Sequence, residues 1–307
     1  MFSWVDDRSE GRIATEVTAE VSAEVFSSGE QPTYLLYDRE EDLGALDAAL
    51  AEAVAGTGGV LLIEGPAGIG KTVLLDQLRR RATGSTTVLT ARGGELERGF
   101  GFEIVRQLLE AAIVGADAAE RARLLAGAAR LAEPVFTDVS AAEDTGDVAF
   151  ATLHGLYWLV VNLAERGPLV LSVDDAHWAD EPSLRFLLHL AHRLAGMPVL
   201  VALAVRTGAD RHRQDLGSLM LEARPPILRP RPLGESAVAS LVRESLGGEA
   251  SAQLCRACAR DGVGSRLAGL PEVTPRGDVA DIVFGSAKLE QNQRSIGRVR
   301  RLIKCAT

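Results

Sequence analysis

Eight consecutive residues, Gly65-Pro66-Ala67-Gly68-Ile69-Gly70-Lys71-Thr72, have the types and spacing that hold a phosphate chain. They fit G-x-x-x-x-G-K-[ST] without a gap. The glycines let backbone N–H groups turn inward around phosphate oxygens, and a helix starting at the loop adds positive potential. Lys71 would reach the β- and γ-phosphates, and the Thr72 hydroxyl would ligate Mg²⁺. About a hundred residues on, Pro168-Leu169-Val170-Leu171-Ser172-Val173-Asp174-Asp175 is an apolar run ending in two carboxylates. Beside a phosphate loop, Asp174 would enter the magnesium shell and Asp175 would polarise the attacking water as general base. Read alone, the pair could equally cap the loop that follows.

These groups work only if the chain positions them. The loop needs a strand before it and a helix after it. Val60-Leu61-Leu62-Ile63 supplies the strand and Val73-Leu74-Leu75-Asp76-Gln77-Leu78 the helix. The acid pair needs a buried parallel strand, which reads as an almost unbroken apolar run. Residues 169–173 provide one. Further strands are expected at Thr87-Val88-Leu89-Thr90-Ala91, at 198–205 and at Ile227-Leu228. Helices are expected from Arg39 to Leu50, Phe102 to Ile113, Ala118 to Leu131, Ala149 to Ala164 and Pro182 to Leu194, then near Glu235 to Leu246 and Ala250 to Arg260. Pro134 to Asp147 is acidic and reads as an exposed loop. Strands alternating with helices indicate an α/β fold, a three-layer P-loop NTPase with a mostly parallel sheet and a short, incomplete helical lid.

Arg206 ends the expected strand at 198–205, where a side chain faces the nucleotide side of such a sheet. Two readings stand: a sensor of the γ-phosphate, since a guanidinium grips phosphate oxygens bidentately, or a solvated strand end. Trp178 reads as packing. His177 is open between packing and placement of the water. Arg79-Arg80-Arg81 reads as a solvated helix end, and Arg229-Pro230-Arg231 as an ordinary turn.

Bulk properties narrow the function classes. With 307 residues the chain can bury a substantial core, and its 47% hydrophobic and 24% charged content are those of a globular protein. The net charge of −9 argues against a broad nucleic-acid surface. No apolar run approaches membrane-spanning length, and Met1-Phe2-Ser3-Trp4-Val5-Asp6-Asp7 lacks the basic start of a secretory signal, so a cytoplasmic location is expected. Cys255, Cys258 and Cys305 suggest no disulfide framework, and Cys255-Arg256-Ala257-Cys258 lacks the second pair a zinc site needs.

Four pieces of the sequence together resemble the ATPase module of the signal-transduction ATPases with numerous domains (AAA/STAND type). More narrowly, they resemble the N-terminal portion of large ATP-binding LuxR-type transcriptional regulators. The pieces are Arg39-Glu40 with Leu43; the phosphate loop; residues 91–98 with Val105-Arg106-Gln107-Leu108-Leu109-Glu110; and Asp174-Asp175-Ala176-His177-Trp178-Ala179-Asp180. The glycine usual before the arginine is Asp38 here. The resemblance spans residues 36 to about 260. It implies ATP with Mg²⁺, Arg39 near the adenine side, Arg206 as sensor, and an ATP/ADP switch with slow hydrolysis. Self-association through the ATPase domain is left open, since a competent site can need a neighbour's arginine.

The expected organisation is an acidic, disordered leader over 1–33, a P-loop ATPase core over 34–232, a partial lid over 233–260 and a divergent basic tail over 261–307. The DNA-binding part of the resembled regulators is not expected in this chain, nor is direct DNA binding or a membrane partner. The tail carries Lys288, Arg294, Arg298, Arg300, Arg301 and Lys304 against Glu290, and a shifted or truncated reading frame would explain it. Family motifs continuing in another frame of the genomic DNA would support that hypothesis; their absence would sink it. The alternative function is an initiator-type AAA+ DNA-binding ATPase, which shares these motifs. A small-molecule kinase uses the same loop but needs an acceptor-binding cluster of arginines that is not evident.

Overall fold

Alternation along three apolar strands builds two cores at once. The structure, a computed structural model, describes residues 37–82, 84, 86–96, 101–137, 146–208 and 214–245. The leader over 1–33, the three cysteines, the helix expected at 250–260 and the tail lie outside the described residues. Five parallel strands form one sheet in the order β2-β3-β4-β1-β5. They are β1 (Gly59–Gly65), β2 (Thr87–Arg92), β3 (Leu169–Asp174), β4 (Val199–Arg206) and the two-residue β5 (Ile227–Leu228). Val60, Leu62, Leu169, Leu171, Val173, Val199, Val201, Leu203 and Val205 point to one face. Leu61, Ile63, Val170, Leu200, Ala202 and Ala204 point to the other. Because side chains alternate along a strand, continuous apolar runs are what a sheet covered on both faces demands.

Helices cover both faces, which makes the three layers. The second face packs on α1 (Glu40–Val54) through Leu46, Leu50 and Ala53, and on α2 (Lys71–Arg81) through Leu74, Leu75 and Leu78. The first face packs on α3 (Glu103–Val114), α6 (Gly146–Ala164) and α7 (Glu181–Ala191). The remaining described α-helices are α4 (Ala118–Leu124), α5 (Glu133–Thr137), α8 (Gln214–Glu222) and α9 (Glu235–Ser245). The α/β, parallel-sheet expectation holds.

Two local expectations do not. The helix expected from Ala118 to Leu131 stops at Leu124 and resumes as a 3₁₀ turn over Gly127–Ala132, because Gly127 takes φ 62° and breaks the hydrogen-bond ladder. The stretch expected as an exposed loop from Pro134 contains α5, whose Val135 is buried in the first core, and α6 already begins at Gly146. The helix α8 had no counterpart in the sequence reading.

The sheet places its chemistry at one edge. In the order β3-β4-β1-β5 the neighbours β1 and β4 are parallel, but the chain leaves β1 toward α2 on the second face and β4 toward α8 on the first. Parallel sheets bind ligands at the C-terminal ends of strands beside such a switch point. Gly65, Asp174 and Arg206 end β1, β3 and β4 there.

Candidate functional site

The loop from Gly65 to Gly70 is shaped by the residues that have no side chain. Gly68 and Gly70 hold φ 79° and 103°, a region that a Cβ penalises. At Gly65, a Cβ would stand 2.7 Å from the Ile69 Cγ2, so the loop can close over the buried Ile69 only around a glycine. Gly70 caps α2, which begins with Lys71 and leaves its first N–H groups at the mouth of the loop. With Pro66 and Ala67 exposed at the turn, the loop offers backbone donors and little else.

Lys71 is buried, and its Nζ donates to the carbonyls of Gly65 and Pro66 at 3.0 Å each. Burial lowers its pKa, while Asp175 and Asp174 pull it back up and Arg206 adds a smaller depression. Four charged groups thus feel one another around this ammonium: Lys71, Asp174, Asp175 and Arg206. The Thr72 hydroxyl donates to Asp174 Oδ2 at 2.7 Å, joining the end of the loop to the end of β3 across 102 residues. Asp174 is buried, and burial pushes its carboxyl above the ordinary range. The Thr72 hydroxyl and the Asp175 N–H, which donates to Oδ1 at 2.9 Å, oppose that shift. A buried carboxylate that can reach a threonine hydroxyl is the donor set a hard divalent cation takes, and the fit to Mg²⁺ is good.

Asp175 lies in the left-handed region at φ 47°, ψ 39°, an uncommon place for a residue with a side chain. Its carboxylate meets the Arg92 guanidinium at 3.4 Å. Arg92 ends β2 in register with Asp174, and its own N–H is held by the Gln107 Oε1 at 2.8 Å. The next residue, Gly93, donates its N–H to the Asp174 carbonyl at 2.9 Å. A Cβ there would stand 2.4 Å from the Asp175 carbonyl oxygen and 3.0 Å from the Trp178 Cβ. The turn that aims Asp175 therefore lies directly against backbone that has no side chain.

Arg206 is exposed at the end of β4, opposite Gly65 in the β1–β4 register. Arg39 is buried behind the loop. Its guanidinium donates to the Asp42 carboxylate at 3.0 Å, the Arg231 carbonyl at 2.8 Å and the Ile69 carbonyl at 2.8 Å. His177 is buried and its ring lies 5.1 Å from that of Trp178. All the expected site residues thus gather at the C-terminal edge of the sheet, with Arg39 behind the loop rather than at its mouth.

The sequence reading passed over several residues that shape the site. Asp180 Oδ1 accepts the N–H groups of Ser183 at 2.9 Å and Phe102 at 2.8 Å, and Oδ2 that of Ile104 at 3.3 Å. One carboxylate so caps α7 and α3 together. Its N-cap spacing to Ser183 was visible in the sequence; its second helix was not. Arg229, read as part of an ordinary turn, places Nε and Nη2 each 2.8 Å from Oε2 of the buried Glu64. The Arg79–Arg81 end is half-buried, with Arg81 paired to Asp47 of α1 and Arg79 to Asp76. No group of three or more His, Cys, Asp or Glu side chains placed to hold a metal ion occurs among the described residues, this site included.

Comparison with known proteins points the same way. Residues 35–202 match the model of the AAA ATPase domain. An uncharacterised protein of Rhizobium meliloti (strain 1021) is 30% identical over 193 residues, 56% of this chain and 18% of that protein. The chain therefore spans under a fifth of the length of that curated relative. The Walker-type ATPase paby2304 of Pyrococcus abyssi shares the fold at 16% identity, over 90% of this chain and 75% of its own, with TM-score 0.52. Cdc6p from Pyrobaculum aerophilum is similar at 18% identity over 77% of this chain and 57% of its own, with TM-score 0.48. At these identities the likeness is one of fold.

Proposed function

The chain belongs to the AAA ATPase domain family, and from that premise we propose that it binds ATP with Mg²⁺ and hydrolyses it slowly. We place it as the nucleotide switch of a LuxR-type transcriptional regulator. The observation that carries the nucleotide part is the 2.7 Å hydrogen bond from Thr72 to Asp174 at the mouth of the phosphate loop. It brings together the two side chains that would hold the cation, one from each motif. Bound there, Mg²⁺ would neutralise charge on the phosphate oxygens.

The remaining chemistry is the work of the chain's own groups. The N–H groups from Gly68 to Thr72 would receive the phosphates, and Lys71 would exchange two carbonyl acceptors for phosphate oxygens. Asp175 would take the proton of the attacking water. Arg206 would sense the γ-phosphate from the strand between β3 and β1. The Arg92 guanidinium, 3.4 Å from Asp175 Oδ2, competes with the water for that carboxylate, which accords with slow hydrolysis in this reading.

Mg-ATP titrated calorimetrically into the purified chain tests the site. Binding that disappears in Lys71→Ala supports it; no heat from a folded wild-type protein overturns it. Support for the regulator role comes from the four sequence pieces alone. Sequencing the adjoining DNA for a helix-turn-helix tests it, and the absence of one in any frame removes it. The initiator-type alternative shares the same core, and its likeness in solved structures is one of fold.

A further inference from the structure

Two residues at the entry to α1 reach across the molecule to one short stretch of chain. Asp38 sits in the left-handed region, φ 52°, and its Oδ2 accepts the Gly234 N–H at 3.0 Å. Gly234 opens α9, its carbonyl accepting the Val238 N–H. Arg39 binds the Arg231 carbonyl with one nitrogen and the Ile69 carbonyl of the phosphate loop with the other. Arg229, two residues before Arg231, holds Glu64, which immediately precedes Gly65. The stretch 229–234 between β5 and α9 therefore grips the phosphate loop near both ends, through Glu64 and through Ile69.

The grip on Ile69 has a consequence for the loop's donors. A peptide group is planar, with its C=O and N–H pointing in opposite directions. Fixing the Ile69 carbonyl on Arg39 therefore fixes the Gly70 N–H on the opposite side of the same peptide. Gly70, at φ 103°, has no Cβ to oppose rotation of that peptide, so the restraint must come from its hydrogen-bond partners. A buried guanidinium shared by two carbonyls and a carboxylate cannot follow one partner without straining the others.

We propose that Asp38 and Arg39 form a positioning clamp that couples the stretch 229–234 to the phosphate loop and so sets how long a nucleoside triphosphate stays bound. The residence time rests on the nucleotide-binding reading above; the coupling itself does not. Asp38 is the informative position because it can be changed cleanly. Asp38→Gly relaxes the backbone at φ 52° and removes the acceptor for Gly234, whereas Asp38→Asn suits the same φ and keeps an acceptor oxygen.

Two measurements on the full chain decide the matter. In stopped-flow displacement of a fluorescent ATP analogue, Asp38→Gly should release nucleotide roughly three- to tenfold faster than wild type, as expected for losing one hydrogen bond. Asp38→Asn should stay within about twofold of wild type. Hydrogen exchange on the nucleotide-free proteins should rise in Asp38→Gly both over 229–238 and over 65–71. Exchange that rises over 229–238 alone means a local tether and overturns the clamp, as do equal release rates in the three proteins. If wild type binds no nucleotide, the ATP reading fails, and exchange over 65–71 still decides whether the two segments are coupled.

Discussion

Replacing Gly93 by alanine tests whether the turn after β3 positions Asp175 for chemistry. The added methyl carbon would meet the Asp175 carbonyl at 2.4 Å, the Trp178 Cβ at 3.0 Å and the Ala179 N at 3.2 Å. An ordinary contact needs about 3.4 Å, so the turn must retreat by about 1 Å. The retreat cannot be shared by a flexible side-chain end, since two of the three atoms are backbone. A misplacement of about 1 Å at a reacting group costs on the order of 10²-fold in rate. The phosphate loop is untouched, so affinity for Mg-ATP should change by less than about threefold while kcat falls about a hundredfold. Overpacking of this kind costs about 1–3 kcal/mol of stability, and so lowers Tm by several degrees. Single-turnover hydrolysis measured beside calorimetric binding separates the two effects. Wild-type kcat in a correctly folded Gly93→Ala protein would refute the argument, because it would mean that the placement of Asp175 does not matter.

The other predictions follow from burial. Burial raises the Asp174 carboxyl above the ordinary aspartate range, so its ionised form costs folding free energy above the raised pKa and the cost fades as pH falls through it. Asp174→Asn removes the charge and should raise Tm at pH 7 by a few degrees, on the order of 1 kcal/mol, with the gain shrinking toward about pH 4, while Mg²⁺-dependent hydrolysis is lost. A Tm at pH 7 below that of wild type, read by scanning calorimetry, would count against the buried-charge account. Asp180→Ala strips the acceptor from the Phe102, Ile104 and Ser183 N–H groups at once and should cost about 3–5 kcal/mol in urea unfolding. A loss below about 1 kcal/mol would mean that water replaces the carboxylate.

What was legible in the sequence was what local rules dictate. Val60 to Thr72 reads as strand, loop and helix because glycine, lysine and apolar runs each carry their own conformational preference. The same holds for Leu169 to Asp175. Partners distant in sequence were not legible. Asp180 could be read as a cap for α7 from its spacing to Ser183, but nothing local says that it also serves Phe102, 78 residues away. Arg229 looked like turn composition because its partner, Glu64, lies 165 residues upstream. The short helix at Glu133–Thr137 was missed because five residues carry too little periodicity to outweigh Pro134 and the acidic run that follows.

Asp38 joins the two kinds of information. As a departure from the resembled pattern it is visible in sequence, where the usual residue is glycine, and φ 52° supplies the physical reason for that glycine. An aspartate tolerates this region better than most residues, since its short side chain can find a nearby backbone partner. Here the partner is Gly234, where a Cβ would stand 2.9 Å from the Asp38 carboxylate. The close approach therefore favours glycine at 234, and the hydrogen bond requires an acceptor at 38. A residue that relieves strain in the resembled pattern has become one that makes a contact, and the contact lies beside the arginine that orients the phosphate loop. Asp38→Gly returns the chain to the common residue, relieves the backbone at φ 52° and is expected still to release nucleotide faster. A substitution that relieves backbone strain at its own position while loosening the phosphate loop is hard to explain by general damage, which is why this position separates a coupling role from a structural one.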